Sequence, residues 1–205
     1  MCKLLSVTNR FLCREPFLAR IEKVAKSGVD AIILREKDLS EAEYSDLAKE
    51  VLSICRQADV PCILHSFPRV AVELGADGLH LPLPLLRALP EEQRFPRLGA
   101  SCHSLADVEE AAALGCSYVT LGHIFPTACK PGLPPRGLGL LREVCAASPL
   151  PVYAIGGVGT DNLFQVVQAG AAGGCLMSTT ICSGKSAADI FRPHILEQVT
   201  LLQVL

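Results

Sequence analysis

Four of the five histidines stand where short apolar runs give way to polar residues: His65 in PCILHS, His80 in GLHLP, His103 in SCHS and His123 in LGHIF. Imidazole is the side chain whose ordinary pKa lets it take up and return a proton near neutral pH. His123 is the sharpest candidate, because it follows Gly122 and opens the longest loop, residues 123–137; a glycine there lets backbone approach a ligand closely. His80 reads first as a packed rim residue, His103 either as a pocket residue or as a group ordering the Ser101 loop, and His65 as either. The loop carries Pro126, Pro131, Pro134 and Pro135, which limit its freedom, and the cations Lys130 and Arg136, suited to a carboxylate or phosphate. Two further segments suit phosphate. IGGVGTDN (155–162) is a glycine-rich turn into a helix, and CLMSTTI (175–181) sets three hydroxyls where a short helix should begin. The histidines have no metal-ligand spacing and few flanking carboxylates, so the expected metal ligands are none.

A scaffold must bring these residues to one face. Four segments share one grammar: SGVDAIILREK (27–37), LGADGLHLP (74–82), LGCSYVTLGH (114–123) and AGAAGGCLMS (169–178). Each has a glycine at a helix-ending position and then an apolar run too short for a helix. Between them, VPCILH (60–65), FPRLGAS (95–101) and LPVYAIGG (150–157) each place a proline just before a short apolar run, as at a strand start. With KLLSVT (3–8), the expected strands are 3–7, 30–35, 61–65, 77–81, 97–101, 117–121, 151–155 and 173–177. The intervening stretches read as helices; 40–58 opens on Ser40 and Glu43, a capping box, and 104–114 opens on Ser104. Strand–helix alternation of this kind predicts an α/β fold, a single (β/α)8 TIM barrel over residues 1–205, with a doubly wound sheet as the alternative. In a barrel the chemistry sits at the strand C-termini, where Arg35, Lys37, His65, His80, Ser101, His103 and His123 all fall. His194, on the expected last helix, is the exception.

Composition narrows the function classes. Half of the 205 residues are apolar and the formal net charge is −2, so nothing points to nucleic acid or an anionic membrane surface. Ten cysteines form no C-x-x-C pair, and most lie in apolar runs such as PCILH and GGCLMS. They read as buried free thiols, which fit a reducing, cytoplasmic setting. MCKLLSVTNRF lacks a leader-type apolar run, and no apolar run is long enough to span a membrane.

LREKDLS (34–40), GADGLHLP (75–82), ASCHSLADVEEA (100–111), GHIFPTACKPGLPPRGL (122–138) and YAIGGV (153–158) together resemble the thiamine phosphate synthase superfamily. The match runs in order from near residue 5 to about residue 182. The resemblance implies the barrel, a phosphorylated thiazole ligand, and one of two activities. Synthases join a pyrimidine pyrophosphate to a thiazole phosphate with magnesium; thiazole tautomerases of the TenI-like branch move a proton within a thiazole carboxylate phosphate without metal.

Three positions separate the branches. Synthases carry Asn-Asp after strand 3, where this chain has His65-Ser66, and a second aspartate after strand 4, where residues 80–86 read HLPLPLL without a carboxylate. They carry Gly-Pro-Ile-Phe after strand 6, where it has Gly122-His123-Ile124-Phe125. Beyond these three, their pyrimidine-binding glutamine before the REK motif is Ile33 here. Magnesium wants hard oxygen ligands, and a proton shift needs only a general acid/base. The resulting expectation is an isomerase, a thiazole tautomerase without cofactor, with His123 as acid/base. Arg35, Lys37, Ser101, His103, Thr127 and Lys130 are then expected to bind substrate, and Gly156, Gly157, Ser178 and Thr179 the phosphate. Cys129 stands where the family has a second threonine. The alternatives are a magnesium-dependent thiamine phosphate synthase and a barrel that binds a phosphorylated ligand without turnover. Barrels of this type often pair, which makes a homodimer the assembly the resemblance allows.

Overall fold

The computed structural model describes residues 2–93 and 95–182, so His194 lies outside the described residues. Eight parallel strands close on themselves in chain order: β1 (Lys3–Val7), β2 (Ala31–Leu34), β3 (Cys62–His65), β4 (Gly78–Pro82), β5 (Leu98–Cys102), β6 (Tyr118–Gly122), β7 (Val152–Ile155) and β8 (Gly173–Leu176). The helices between them are α1 (Phe17–Ala25), α2 (Glu41–Gln57), α3 (Pro68–Glu73), α4 (Leu83–Arg87), α5 (Leu105–Ala113), α6 (Gly137–Ala147), α7 (Leu163–Gln168) and α8 (Ser178–Ile181). The expected barrel is therefore present, with β1 paired to β8 as well as β2, and the doubly wound sheet is excluded.

Each strand has two buried faces, which is why the runs read as apolar without alternation. One set of alternating residues, including Ile32, Leu34, Leu64, Leu79, Leu81, Val119, Leu121 and Leu176, packs outward against the helices. The other set fills the barrel: Leu5, Val7, Ala31, Ile33, Ile63, Tyr118, Tyr153 and Cys175 form a separate interior cluster. Ser40 caps α2 as the capping box requires, accepting from the Glu43 amide while the Glu43 carboxylate takes the Ser40 amide at 2.9 Å. Ser104 caps α5 through the Asp107 amide at 3.2 Å.

All ten cysteines are free thiols, and Cys55, Cys62, Cys102, Cys116 and Cys175 are fully buried. The expectation of burial holds for these five; Cys2, Cys13, Cys145 and Cys182 are partly buried, and Cys129, in the long loop, is exposed. No helix among the described residues is long and apolar enough to cross a membrane.

The interior is aliphatic on the β1–β3 side and aromatic on the β6–β7 side, and a glycine makes this possible. Gly99 pairs with Tyr118 across the β5–β6 ladder, and the Tyr118 ring lies over it. A Cβ on Gly99 would stand 2.1 Å from the ring carbon that bears the hydroxyl. Tyr118 is 7 % exposed and rests edge-on against Tyr153 with ring centroids 5.8 Å apart, so it has no room to withdraw. Gly99→Ala should therefore cost about 1–3 kcal/mol, as overpacking does. Urea denaturation should show it as a lower midpoint with an unchanged slope; an unchanged midpoint would mean the ring can move freely.

Candidate functional site

The C-terminal end of β2 carries Arg35, Glu36 and Lys37, and the middle residue holds the segment in place. Glu36 is 2 % exposed and accepts from the Thr8 hydroxyl at 2.6 Å, the Arg10 amide at 3.1 Å and Arg10 Nη1 at 3.2 Å. Thr8 Oγ1 in turn accepts from the Arg35 amide at 2.9 Å. Arg10 also binds Asp38. The two carboxylates of the segment are thus committed to Arg10, while Arg35 and Lys37 enter none of the ion pairs among the described residues. Partial burial lowers the Lys37 pKa first, and the charges of Arg35 and Lys130 lower it further. Three cations therefore meet at this rim although Lys130 comes from the loop after β6.

His65 and His80 are ladder partners on β3 and β4, with rings stacked at 5.5 Å. Both are interior residues, 4 % and 2 % exposed, so His80 belongs to the barrel's filling rather than its edge. Burial holds His65 down to about 2, helped by His80, Lys37 and Arg35, and holds His80 down to about 3, helped by Lys37 and Arg35. Both are neutral at pH 7. His65 Nδ1 is bonded to the Ser66 hydroxyl at 2.6 Å, and Ser66 takes a φ of 69°, a region serine rarely adopts. The His65 amide donates to Tyr44 Oη at 2.9 Å, and that hydroxyl donates to the Leu34 carbonyl at 2.6 Å. His80 is bonded through both nitrogens, Nδ1 to Tyr118 Oη at 3.0 Å and Nε2 to Ser101 Oγ at 2.9 Å.

His103 and His123 lie farther round the rim. His103 is exposed and its Nδ1 donates to the Gly122 carbonyl at 2.8 Å, a carbonyl that also accepts Arg136 Nε at 3.0 Å. His123 is 6 % exposed, and its Nε2 donates to the Leu133 carbonyl at 3.3 Å, within its own loop. The Arg136 amide donates back to the His123 carbonyl at 2.9 Å, so residues 123–137 close on themselves. Thr127 serves the same loop: its hydroxyl accepts from the Cys129 amide at 3.3 Å.

The two expected phosphate segments are adjacent. Gly156 and Gly157 both have positive φ, 88° and 68°, and each lies against the β6 loop. A Cβ on Gly156 would be 2.2 Å from the His123 Cβ, and one on Gly157 would be 2.5 Å from the Pro126 carbonyl oxygen. Gly159 comes within ordinary contact of α8, since its Cβ would stand 3.5 Å from Thr179 Oγ1. Of the three hydroxyls of α8, Ser178 is exposed, Thr179 half-buried and Thr180 buried. Thr180 is an anchor: its Oγ1 lies 2.8 Å from Ser6 Oγ, and its carbonyl accepts Arg20 Nε at 2.7 Å. Cys129 Sγ reaches Met177 Sδ at 3.9 Å, which carries the β6 loop over the end of β8.

Sequence reading finds the rim and misses the groups that hold it: Thr8, Arg10, Tyr44 and Tyr118. The partners of Glu36 and His80 are 28 and 38 residues away, and no local pattern marks them. Among the described residues, no group of three or more His, Cys, Asp or Glu is arranged to hold a metal ion.

Comparison with known proteins matches residues 4–180 to the family model described as thiamine monophosphate synthase. A putative thiamine-phosphate synthase 2 of Aquifex aeolicus is 34 % identical over 182 residues, covering 83 % of this chain and 93 % of that protein. Thiamine-phosphate synthase 2 of Streptococcus pneumoniae is also 34 % identical, covering 83 % of each chain. The thiamine phosphate pyrophosphorylase structure from Pyrococcus furiosus superposes with a TM-score of 0.80 at 26 % identity, covering 98 % of this chain and 96 % of that one. These relatives overturn the expected thiazole tautomerase, and with it the isomerase class: those named are transferases. The isomerase expectation leaned on single positions, above all His123, whose ring is engaged in closing its own loop.

The neutral histidines make stability depend on pH. Each folds uncharged and gains a proton on unfolding, so the unfolded chain binds more protons between roughly pH 3 and the ordinary value of 6.5. Their contribution is complete above that ordinary value and is lost as pH falls. Between pH 5.5 and 4.5 the two together should remove about 2–3 kcal/mol, from 1.4 kcal/mol per unit each. Urea midpoints at those two pH values should show the fall, and it should shrink in a His65→Asn/His80→Gln double variant. An equally steep fall in the variant would assign the effect to other groups.

Proposed function

The chain belongs to the thiamine monophosphate synthase family, and from that premise we propose that it is a thiamine-phosphate synthase. It joins a hydroxymethylpyrimidine pyrophosphate to a thiazole phosphate, forming the bond between the rings as the bond to pyrophosphate breaks. The observation that carries the reading is likeness to named synthases along most of the chain. It is supported by a barrel whose rim collects Arg35, Lys37 and Lys130 without acidic ion-pair partners among the described residues.

In this reading the thiazole phosphate lies between the Gly156–Gly157 turn and the exposed start of α8, near Ser178 and Thr179. Arg35, Lys37 and Lys130 face the pyrophosphate, whose charge grows as it departs, and fixed cations stabilise that charge most in the transition state. Ser101 lines the pocket beside His80. His103, Thr127 and His123 shape the wall and the loop. The chain acts without membrane or nucleic-acid partners, in the cytoplasm, and a homodimer is the proposed assembly.

Magnesium is the metal that the family resemblance implies, and the residues present do not fit it. Magnesium requires several hard oxygen donors. The ends of β3 and β4 offer His65, Ser66, His80 and Leu81, and Glu36 and Asp38 are bound to Arg10. That mismatch favours one second reading, a barrel that binds the phosphorylated thiazole without turnover.

Purified protein given both substrates should release pyrophosphate and form thiamine phosphate. Lys37→Ala should raise KM for the pyrophosphate substrate about 10- to 100-fold, the value of a charge-assisted hydrogen bond. Calorimetric binding of thiazole phosphate with no product, with or without magnesium, would replace the synthase by the binding protein.

A further inference from the structure

Tyr118 Oη, the His80 ring and Ser101 Oγ form a continuous file from the barrel interior to its rim, with links of 3.0 Å and 2.9 Å. We propose that this file is a one-way hydrogen-bond relay which fixes the Ser101 hydroxyl as a donor to an anionic oxygen of the bound substrate. Tyr118 and His80 are then positioning residues.

The direction follows from counting protons. Tyr118 is deeply buried, and its phenol stays protonated because burial disfavours the phenolate. Among the described residues His80 Nδ1 is its hydrogen-bond partner. Were the phenol to accept there instead, its own proton would be left unpaired inside the barrel, at a cost of about 1–3 kcal/mol. The phenol therefore donates to Nδ1. A neutral imidazole carries one proton, so that proton must sit on Nε2. Nε2 then donates to Ser101 Oγ; Thr120 Oγ1, at 3.4 Å, is the weaker partner. With a lone pair of Ser101 Oγ occupied, the hydroxyl proton points away from His80. Successive donors polarise one another, which makes the last hydroxyl a better donor than an isolated serine.

The occupant follows from the surroundings. Arg35 and Lys37 follow β2 on the rim that Ser101 reaches from β5, and neither has an acidic ion-pair partner among the described residues, so the group that meets Ser101 is an anion such as a phosphate or diphosphate oxygen. This last link rests on the synthase reading; the tautomer does not.

The test separates the two. In protein labelled with nitrogen-15 at histidine, two-bond correlation spectra should show His80 as the Nε2–H tautomer, unchanged from pH 6 to 8. A Nδ1–H tautomer in the native chain overturns the relay, and needs no substrate to do so. Tyr118→Phe keeps the ring over Gly99 and should lose the single tautomer. It should also weaken binding of inorganic pyrophosphate about 3- to 10-fold, the worth of one neutral hydrogen bond. Adding Tyr118→Phe to Ser101→Ala should change binding no further, because the relay then ends on nothing. Multiplicative effects of the two substitutions would overturn it. The expected tautomer without pyrophosphate binding would retain the file, and would sink the synthase reading and the anionic occupant with it.

Discussion

A closed barrel has an inside that must be filled, and any polar group placed there must find its partners inside as well. In this chain the filling changes character along the axis. Leu5, Val7, Ile33 and Ile63 pack as aliphatics. Toward the C-terminal rim His65, His80, Ser101 and Thr120 replace them, and each is bonded to a hydroxyl or imidazole neighbour. The Tyr118 ring joins the two regions, apolar by its face and polar by its tip. It can cross the interior because Gly99 leaves its side-chain volume empty. The same packing that closes the barrel thus sets the direction of the polar groups at its mouth.

The rim depends on contacts of the same kind made outside the barrel. Glu36 ties the β1 loop to the end of β2 and so fixes where Arg35 and Lys37 project. Thr180 and Arg20 hold α8 from behind, leaving Ser178 at the surface. His123 pulls its loop closed, and Gly156 leaves room for it. The glycine-rich turn that holds Gly156 reads from sequence as a phosphate site, yet the space beside Gly156 is taken by the neighbouring loop. Both uses require the same absent Cβ, which is why glycine alone does not distinguish them.

Legibility followed the range of the signal. Strand limits were readable to within about a residue, for example 61–65 against Cys62–His65, because proline, helix-ending glycine and apolar run length are local marks. The Ser40 cap was readable for the same reason. Glu36 stands between two rim cations in the sequence, and only the fold shows it buried under Arg10. His80 looked like an edge residue because its partner Tyr118 enters from two strands away. The activity is less legible, because three substituted positions point away from the synthases while the similarity of the remaining chain runs through residues 4–180.

Those positions still constrain the chemistry. A departing pyrophosphate needs its growing charge neutralised, and a divalent ion and a set of ammonium and guanidinium groups can each supply the field. They differ in what must surround them. The ion calls for carboxylates, which would lower the local positive potential; the side-chain cations call for their absence. Here the carboxylates of the β2 segment are paired with Arg10, and the strand ends beside them carry neutral imidazoles. Neutral histidines cost the cations nothing in repulsion, whereas charged ones would add to it. The depressed basicity of His65 and His80 and the crowding of Arg35, Lys37 and Lys130 are therefore two sides of one arrangement, a positive rim and an interior kept neutral beneath it.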